Sequence, residues 1–274
     1  MRPMGWKRDR DDAVQPWRAH RVGLAQVRDV EESPSQVQWR TQRFFQAPYN
    51  ACAAFAIGSC LWTSVRMRKP PLVVAEPEPP SFAFIYAVGR AREYAGQVIA
   101  TRPDLVDGGM YPSLALEAVR DLGYVGERHW PYEPLFIERE PAPQIFRAAI
   151  DQSGLSWSRL GEPGVRIEAM RDAFARDATV AFSMIVDRPF EMNDGGVVRS
   201  MSEKTVGEHG MRVLALDSAR KVVVVENWWD NWGVGGTGNL AGCGFISFDL
   251  FEHDVIGNVY AIDSAPPVAP AEDT

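Results

Sequence analysis

One cysteine of the chain stands where a polar loop meets a helical pattern, and this junction could support nucleophilic chemistry. Cys52 follows the proline-bearing loop 46–51. After it, apolar residues recur at spacings of three, four and four: Ala54, Ile57, Leu61 and Val65. This spacing predicts a helix with a buried face and places Cys52 in its first turn, where the helix dipole favours a thiolate over a thiol. Cys52 is therefore a candidate nucleophile; the alternative is a small buried hydrophobic residue.

A cysteine nucleophile needs a base, normally histidine, and a third group that orients the base. The chain contains four histidines. The contexts of His20, His129 and His253 are typical of solvated or structural side chains. His209 is the candidate base, because it opens a strand pattern that continues at 211–216.

The strand pattern that His209 opens predicts a hairpin. It turns at 217–220 and returns at 222–226, so position 209 faces roughly position 228 or 229 across the ladder. Asn227 is then one or two places from His209. Its amide oxygen could accept the imidazole N–H and turn the other ring nitrogen toward a cleft.

Two further side-chain groups could complete such a site. Gln46 precedes Cys52 by six residues, and its amide could join the backbone N–H of Cys52 as an oxyanion hole. The alternative is a loop glutamine that binds the backbone. Three tryptophans follow Asn227, at 228, 229 and 232. They could screen the His–Asn hydrogen bond from water, or they could simply pack a core.

Composition limits the class of protein. The 274 residues suffice for one large domain or two modest lobes. A net charge of -7 argues against a nucleic-acid-binding surface. Three cysteines, an odd count, argue against a disulfide framework, and no Cys/His cluster has metal-ligand spacing, so we expect neither metal nor cofactor.

The sequence contains no signal peptide and no membrane-spanning segment that we recognise. The start of the chain is charged, and no apolar run reaches the ~18 residues that a membrane span requires. We therefore expect a cytoplasmic protein. The alternative is a component of a virion or of an exported assembly.

The chain divides into a helical half and a strand-rich half. Helices are predicted at 52–68, 82–100, 112–122, 141–150 and 166–176, and strands at 179–186, 211–216, 222–226, 245–248 and 255–262. We predict an α+β fold with a helical lobe at about 45–135 and a mainly antiparallel β lobe at about 140–262, with the site in the cleft between them. Residues 1–40 are predicted to form an extended arm on a domain spanning 41–262, and residues 263–274 a disordered tail.

The ordered set of motifs resembles the papain-like cysteine peptidases, in the form found in bacteria. These peptidases carry, in order, a Gln, Cys-Trp-Ala-Phe, an Asn-Gly-Gly or similar turn, Pro-Tyr, a His and Asn-Ser-Trp-Gly-x-x-Trp-Gly. The counterparts here are Gln46, Cys52-Ala53-Ala54-Phe55, Asp107-Gly108-Gly109, Pro131-Tyr132, His209 and Asn227-Trp228-Trp229-Asp230-Asn231-Trp232-Gly233. Their order and spacing hold from about residue 40 to 262.

This resemblance implies a two-lobed α+β fold and hydrolysis of peptide bonds in a peptide or protein substrate. Cys52 would be the nucleophile, and His209 its base. Asn227 would orient His209, and Gln46 would supply the oxyanion hole. The reaction would pass through a thioester on Cys52, and neither a metal nor a cofactor would take part.

The resemblance also assigns substrate contacts, and the chain departs from the family pattern in places. Gly108 and Gly109 would bind the substrate backbone as an added strand, and Trp229 would shield Asn227. Asn50-Ala51 replaces the Gly-Ser before the nucleophile, and Ala53 replaces the Trp after it. The family's long inhibitory prodomain is not recognised, so we expect an enzyme that is active as made or that is controlled by a partner protein. The alternative function is a catalytically silent papain-like fold that acts as a binding or structural component of a larger assembly.

Overall fold

The computed structural model describes residue 36 and residues 46–68, 78–94, 107–137, 139–150, 155–234 and 242–263. The helices in this part of the chain are α1 (Cys52–Arg68), α2 (Phe82–Glu93), α3 (Pro112–Leu122), α4 (Pro134–Ile137), α5 (Pro143–Ile150), α6 (Arg166–Ala175), α7 (Arg188–Glu191) and α8 (Phe248–Phe251). The strands are β1 (Ser156–Arg159), β2 (Thr179–Asp187), β3 (Val197–Val198), β4 (Thr205–Asp217), β5 (Val222–Glu226), β6 (Cys243–Ser247) and β7 (Ile256–Asp263). None of the described helices is both long and apolar enough to cross a membrane.

The helix that begins at Cys52 is the central helix of the molecule. It packs against α2 and α3 on one side and against β2 and β4 on the other. Residues 51–57 are completely buried, so the helix is enclosed on more than the single face that its apolar spacing predicted. Small residues allow this close packing: a Cβ on Gly58 would lie 2.8 Å from the ring of Phe82. Phe55 stacks on the same ring, with centroids 4.3 Å apart.

The second half of the chain forms a seven-stranded sheet in the order β1-β7-β2-β4-β5-β6-β3. Every neighbouring pair is antiparallel except β3 and β6. The central position of β4 places it between β2 and the returning strand β5. A predominantly antiparallel β lobe following a helical lobe confirms the α+β prediction.

The sequence located the principal elements, with some corrections. Both α1 and β5 have the predicted bounds. β4 begins at Thr205 rather than at 211, so His209 lies within the strand and not at its start. The short strands β1 and β3 and the single-turn helices α4, α7 and α8 were not predicted, because four residues or fewer carry too little periodicity to recognise.

Several predictions fall wholly or partly on residues that the structure does not describe. The second predicted helix, 82–100, is described as far as Glu93, and 95–100 lie outside the described residues. The predicted arm, 1–40, is described only at Gln36, which is helical and buried. The predicted tail, 263–274, is described only at Asp263, which ends β7. The domain limits therefore stay predictions.

A buried ion pair connects α1 to the hairpin of β4 and β5. Arg212 and Glu226 are directly opposite each other in the two strands, with Nη1 and Oε2 3.4 Å apart. Arg212 is completely buried. Its Nη1 also donates to the carbonyl of Ser59 in α1, at 3.2 Å. One guanidinium therefore fixes the hairpin against the central helix.

Replacing Arg212 with Met should lower the free energy of unfolding by about 3 kcal/mol, because the buried carboxylate of Glu226 would lose its counter-charge. Replacing both residues, R212M with E226L, should recover most of that loss, since two apolar side chains leave no buried charge. Urea unfolding at pH 7 measures both. As a control, Arg171→Met removes a surface ion pair with Glu168 and should cost less than about 1 kcal/mol. Equal midpoints for Arg212→Met and the unmodified protein would contradict this role.

Candidate active site

The hydrogen bond between His209 and Asn227 determines which nitrogen of the neutral imidazole carries the proton. His209 Nε2 and Asn227 Oδ1 are 2.9 Å apart. The backbone N–H of Trp228 reaches the same amide atom at 2.7 Å. A backbone N–H can only donate, so the amide atom must be the oxygen, and His209 Nε2 must be the donor. In the neutral ring, the basic lone pair is therefore on Nδ1.

The register of the hairpin explains why these two residues meet. Arg212 is paired with Glu226 at the open end of the hairpin. The same register continued by three residues would place position 209 opposite position 229, two residues after Asn227. Trp229 stacks on the imidazole of His209, with ring centroids 4.0 Å apart and planes 26° from parallel. Trp229 is 5% exposed, and it shields one face of the ring from water.

The loop that follows Trp229 is fixed by two close contacts. The indole N–H of Trp232 donates to the carbonyl of Phe190 at 2.7 Å. Gly233 has a positive φ of 74°, and a Cβ at this position would lie 2.2 Å from the carbonyl oxygen of Cys243. Only glycine fits there, which gives the Trp-Gly of this motif a backbone reason.

The loop before Cys52, residues 46–51, is hydrogen-bonded to the end of the hairpin. The N–H of Gln46 donates to the carbonyl of Trp228 at 3.2 Å. The hydroxyl of Tyr132 donates to the carbonyl of Gln46 at 2.7 Å. The side-chain Nε2 of Gln46 donates to the carbonyl of Tyr49 at 3.1 Å. The first of these bonds places the segment that leads into Cys52 against Trp228, which directly follows Asn227.

The glycine turn, residues 107–109, lies against the same loop. The N–H of Asn50 donates to the carboxylate of Asp107 at 2.9 and 3.1 Å. Gly108 is exposed, while Gly109 is buried with a φ of 78°. The N–H of Gly109 donates to the hydroxyl of Tyr86 at 3.0 Å. No sequence pattern indicates that Tyr86 reaches this turn, because its context is that of a core aromatic residue of α2.

Comparison with solved structures identifies the fold. The chain superposes on xylellain, a cysteine protease from Xylella fastidiosa, with a TM-score of 0.69 over 97% of both chains at 17% identity. This chain has the papain-like fold. Procathepsin B from Trypanosoma congolense matches with a TM-score of 0.67 over 96% of this chain and 87% of that chain at 15% identity. Procathepsin L 3 of the Tenebrio molitor larval midgut matches with 0.66 over 96% and 76% at 13% identity.

Sequence comparison adds a partial match. No family model matches the chain. An uncharacterized peptidase C1-like protein of Acanthamoeba polyphaga mimivirus is 23% identical over 145 residues, which are 49% of this chain and 47% of that protein. The chain thus spans about half the length of the curated relative that it matches. The sequence-based resemblance to the papain-like family and its two-lobed fold are confirmed.

Within this papain-like fold, Cys52 is the first residue of α1, as its position after the loop predicted. Cys52, His209 and Gln46 are each 0% exposed. The complete burial of these three residues was not predicted from the sequence. Cys60, further along α1, is equally buried, and burial raises the pKa of its thiol to about 12.

The ring protonation deduced for His209 can be measured directly. In a Cys52→Ala background, which removes any ion pair with the thiol, ¹⁵N NMR near pH 8 should find the neutral ring protonated on Nε2. Asn227→Ala should lose this preference, because the oxygen that accepts the N–H is removed. Asn227→Asp is the matched control, since it keeps an acceptor at that place. A neutral ring protonated on Nδ1 in the Cys52→Ala protein that retains Asn227 would contradict the assignment.

Proposed function

We propose that the protein is a cysteine peptidase that hydrolyses peptide bonds through a Cys52 thioester, with His209 as its base. The observation that carries this proposal is the hydrogen bond from His209 Nε2 to Asn227 Oδ1, 2.9 Å long. Because Asn227 is itself held by the N–H of Trp228, it fixes the ring with Nδ1 as the basic nitrogen. A base oriented in this way by a third group is the requirement for nucleophilic catalysis by cysteine.

The reaction follows from the chemistry of these groups. Nδ1 of His209 takes the proton of Cys52, and the thiolate attacks the carbonyl carbon of the scissile peptide bond. The resulting tetrahedral intermediate breaks down as His209 protonates the leaving amine, which gives the thioester. Water, deprotonated by His209, then attacks the thioester. The carbon–sulfur bond breaks, the acid product leaves, and His209 returns the proton to Cys52. If another amine takes the place of water, the same thioester transfers the acyl group.

The oxyanion of the tetrahedral intermediate needs hydrogen-bond donors that are already oriented. We assign this role to the backbone N–H of Cys52 and the side-chain amide of Gln46. One N–H of that amide donates to the carbonyl of Tyr49, which orients the amide group. The bonds from Tyr132 and to Trp228 hold the backbone of Gln46 in place, which favours an oriented donor over a mobile one.

The proposed substrate is a peptide or protein strand that adds to the glycine turn. Gly108 is exposed and could offer backbone groups to such a strand. The N–H of Gly109 already donates to Tyr86, so the strand would use the other backbone groups of the turn. Trp229, which stacks on His209, would form the wall on the opposite side of the site and shield Asn227.

One observation favours a second candidate function. Cys52 and His209 are both fully buried, and an enzyme must admit a carbonyl carbon to the sulfur. A catalytically silent papain-like fold that binds a partner in a larger assembly needs no such access. Both candidates predict a folded protein that binds a polypeptide, and turnover separates them.

Replacing Cys52 with Ala should lower kcat for a fluorogenic peptide pool by at least ~1,000-fold, because the nucleophile is removed while the site keeps its shape. Cys60→Ala is the matched control: it removes the same atom from the same helix and should leave kcat within about threefold. Thermal unfolding of both variants establishes that the fold is intact. Substantial turnover by Cys52→Ala would refute the mechanism, and absence of turnover by the unmodified protein would favour the silent fold.

A further inference from the structure

The carboxylate of Asp107 connects the glycine turn, which would bind the substrate strand, to the loop 46–51, which leads into Cys52. It accepts from the N–H of Asn50 at 2.9 and 3.1 Å and from the hydroxyl of Tyr86 at 2.6 Å. We propose that Asp107 is a positioning residue that holds the loop before Cys52 against the glycine turn and so sets the distance between nucleophile and substrate strand. This inference rests on the proposed function of Cys52 and Gly108.

The contact between Asn50 and Asp107 restrains both backbones. Besides the two bonds from its N–H, Asn50 donates through Nδ2 to the backbone carbonyl of Asp107 at 2.9 Å and to its carboxylate at 3.2 Å. Asn50 and Asp107 are thus hydrogen-bonded to each other through both their backbone and their side-chain groups. Asn50 lies two residues before Cys52, so a shift of its backbone would displace the Cys52 N–H. That N–H is one of the proposed oxyanion donors.

Tyr86 extends the connection to the other end of the turn. Its hydroxyl donates to Asp107 and accepts from the N–H of Gly109 at 3.0 Å. Tyr86 is completely buried in α2, and the guanidinium of Arg90 lies over its ring, 4.0 Å from the centroid. Burial and the neighbouring carboxylate raise the pKa of the Tyr86 hydroxyl, so it remains a phenol that both donates and accepts. The glycine turn is therefore anchored to a buried helix at one end and to the loop of Cys52 at the other.

Two departures from the papain-like sequence pattern meet in this contact. Asn50 stands where that pattern has Gly, and Asp107 stands where it has the Asn of Asn-Gly-Gly. The carboxylate of Asp107 accepts from the backbone N–H of Asn50 and from Tyr86, and the side chain of Asn50 adds donations to the carbonyl and the carboxylate of Asp107. This set of bonds is the reason to assign a function to Asp107 and not merely a place in a turn.

A carboxylate only accepts hydrogen bonds, and the proposed role depends on this property. In Asp107→Asn, one oxygen becomes an NH₂ group that faces the donors of Asn50 or Tyr86. The side chain keeps its size, so the variant tests the hydrogen bonds with little change in packing. Tyr86→Phe is the second variant, because it removes only the hydroxyl that links Asp107 to Gly109. Asp121→Asn is the control, since it makes the same change at an exposed carboxylate far along α3.

The experiment combines two readouts on the full chain. The first readout compares kcat/KM for a peptide with the rate at which iodoacetamide alkylates Cys52. Iodoacetamide serves as the reference because this small reagent uses neither the oxyanion donors nor the glycine turn. We expect Asp107→Asn to lower kcat/KM by ~10- to 100-fold, as a small misplacement of reacting groups does, and to change the alkylation rate by less than about threefold. Tyr86→Phe should also lower kcat/KM. Asp121→Asn should leave both kcat/KM and the alkylation rate unchanged.

The second readout is amide hydrogen exchange, which needs no activity. In Asp107→Asn, exchange should accelerate in segments 50–52 and 107–109 and stay unchanged in the rest of α2 and α3. If the unmodified protein hydrolyses no peptide while exchange responds in this way, the proposed function fails and the positioning role of Asp107 stands. Unchanged kcat/KM and unchanged exchange would overturn the inference. Acceleration spread over the whole helical lobe would also overturn it, because Asp107 would then only stabilise the fold.

Discussion

A single buried guanidinium holds together the three segments on which the site depends. Arg212 lies in β4, three residues after His209, and it contacts the carbonyl of Ser59 in α1 and the carboxylate of Glu226 in β5. Glu226 directly precedes Asn227. The helix that begins with Cys52, the strand that carries His209 and the strand that leads to Asn227 therefore meet at one charge. A completely buried charge is tolerated only when it is paired, so the position of these segments is strongly restrained.

The rest of the site adds shorter-range connections to this frame. Gln46 binds the backbone of Trp228, which in turn fixes the amide of Asn227. Asp107 ties the glycine turn to Asn50. Each connection is a hydrogen bond between two loops, and each of these loops adjoins a helix or a strand. The loops consequently take their geometry from the central helix and the sheet.

Local patterns predicted the parts of this arrangement that depend on nearby residues. The helix from Cys52 has strong apolar spacing, and the meeting of His209 with Asn227 follows from the arithmetic of one hairpin. Contacts between distant segments were not predictable: Tyr86 and Asp107 are 21 residues apart, and nothing in either sequence context indicates the bond. The early start of β4 was missed because glycines at 207 and 210 interrupt its alternation. Complete burial of Cys52 was missed as well, since it depends on the whole packed chain.

The most direct test of the account is labelling of Cys52 by a peptidyl epoxide, followed by intact mass and peptide mapping. We expect one label per chain, on Cys52, with none in Cys52→Ala and none on Cys60, whose buried thiol has a raised pKa. Such labelling would establish an activated thiolate that a peptide can reach, despite its burial in this structure. Absence of labelling at a pH where ordinary free thiols react would contradict the account and would point to the silent, partner-binding fold.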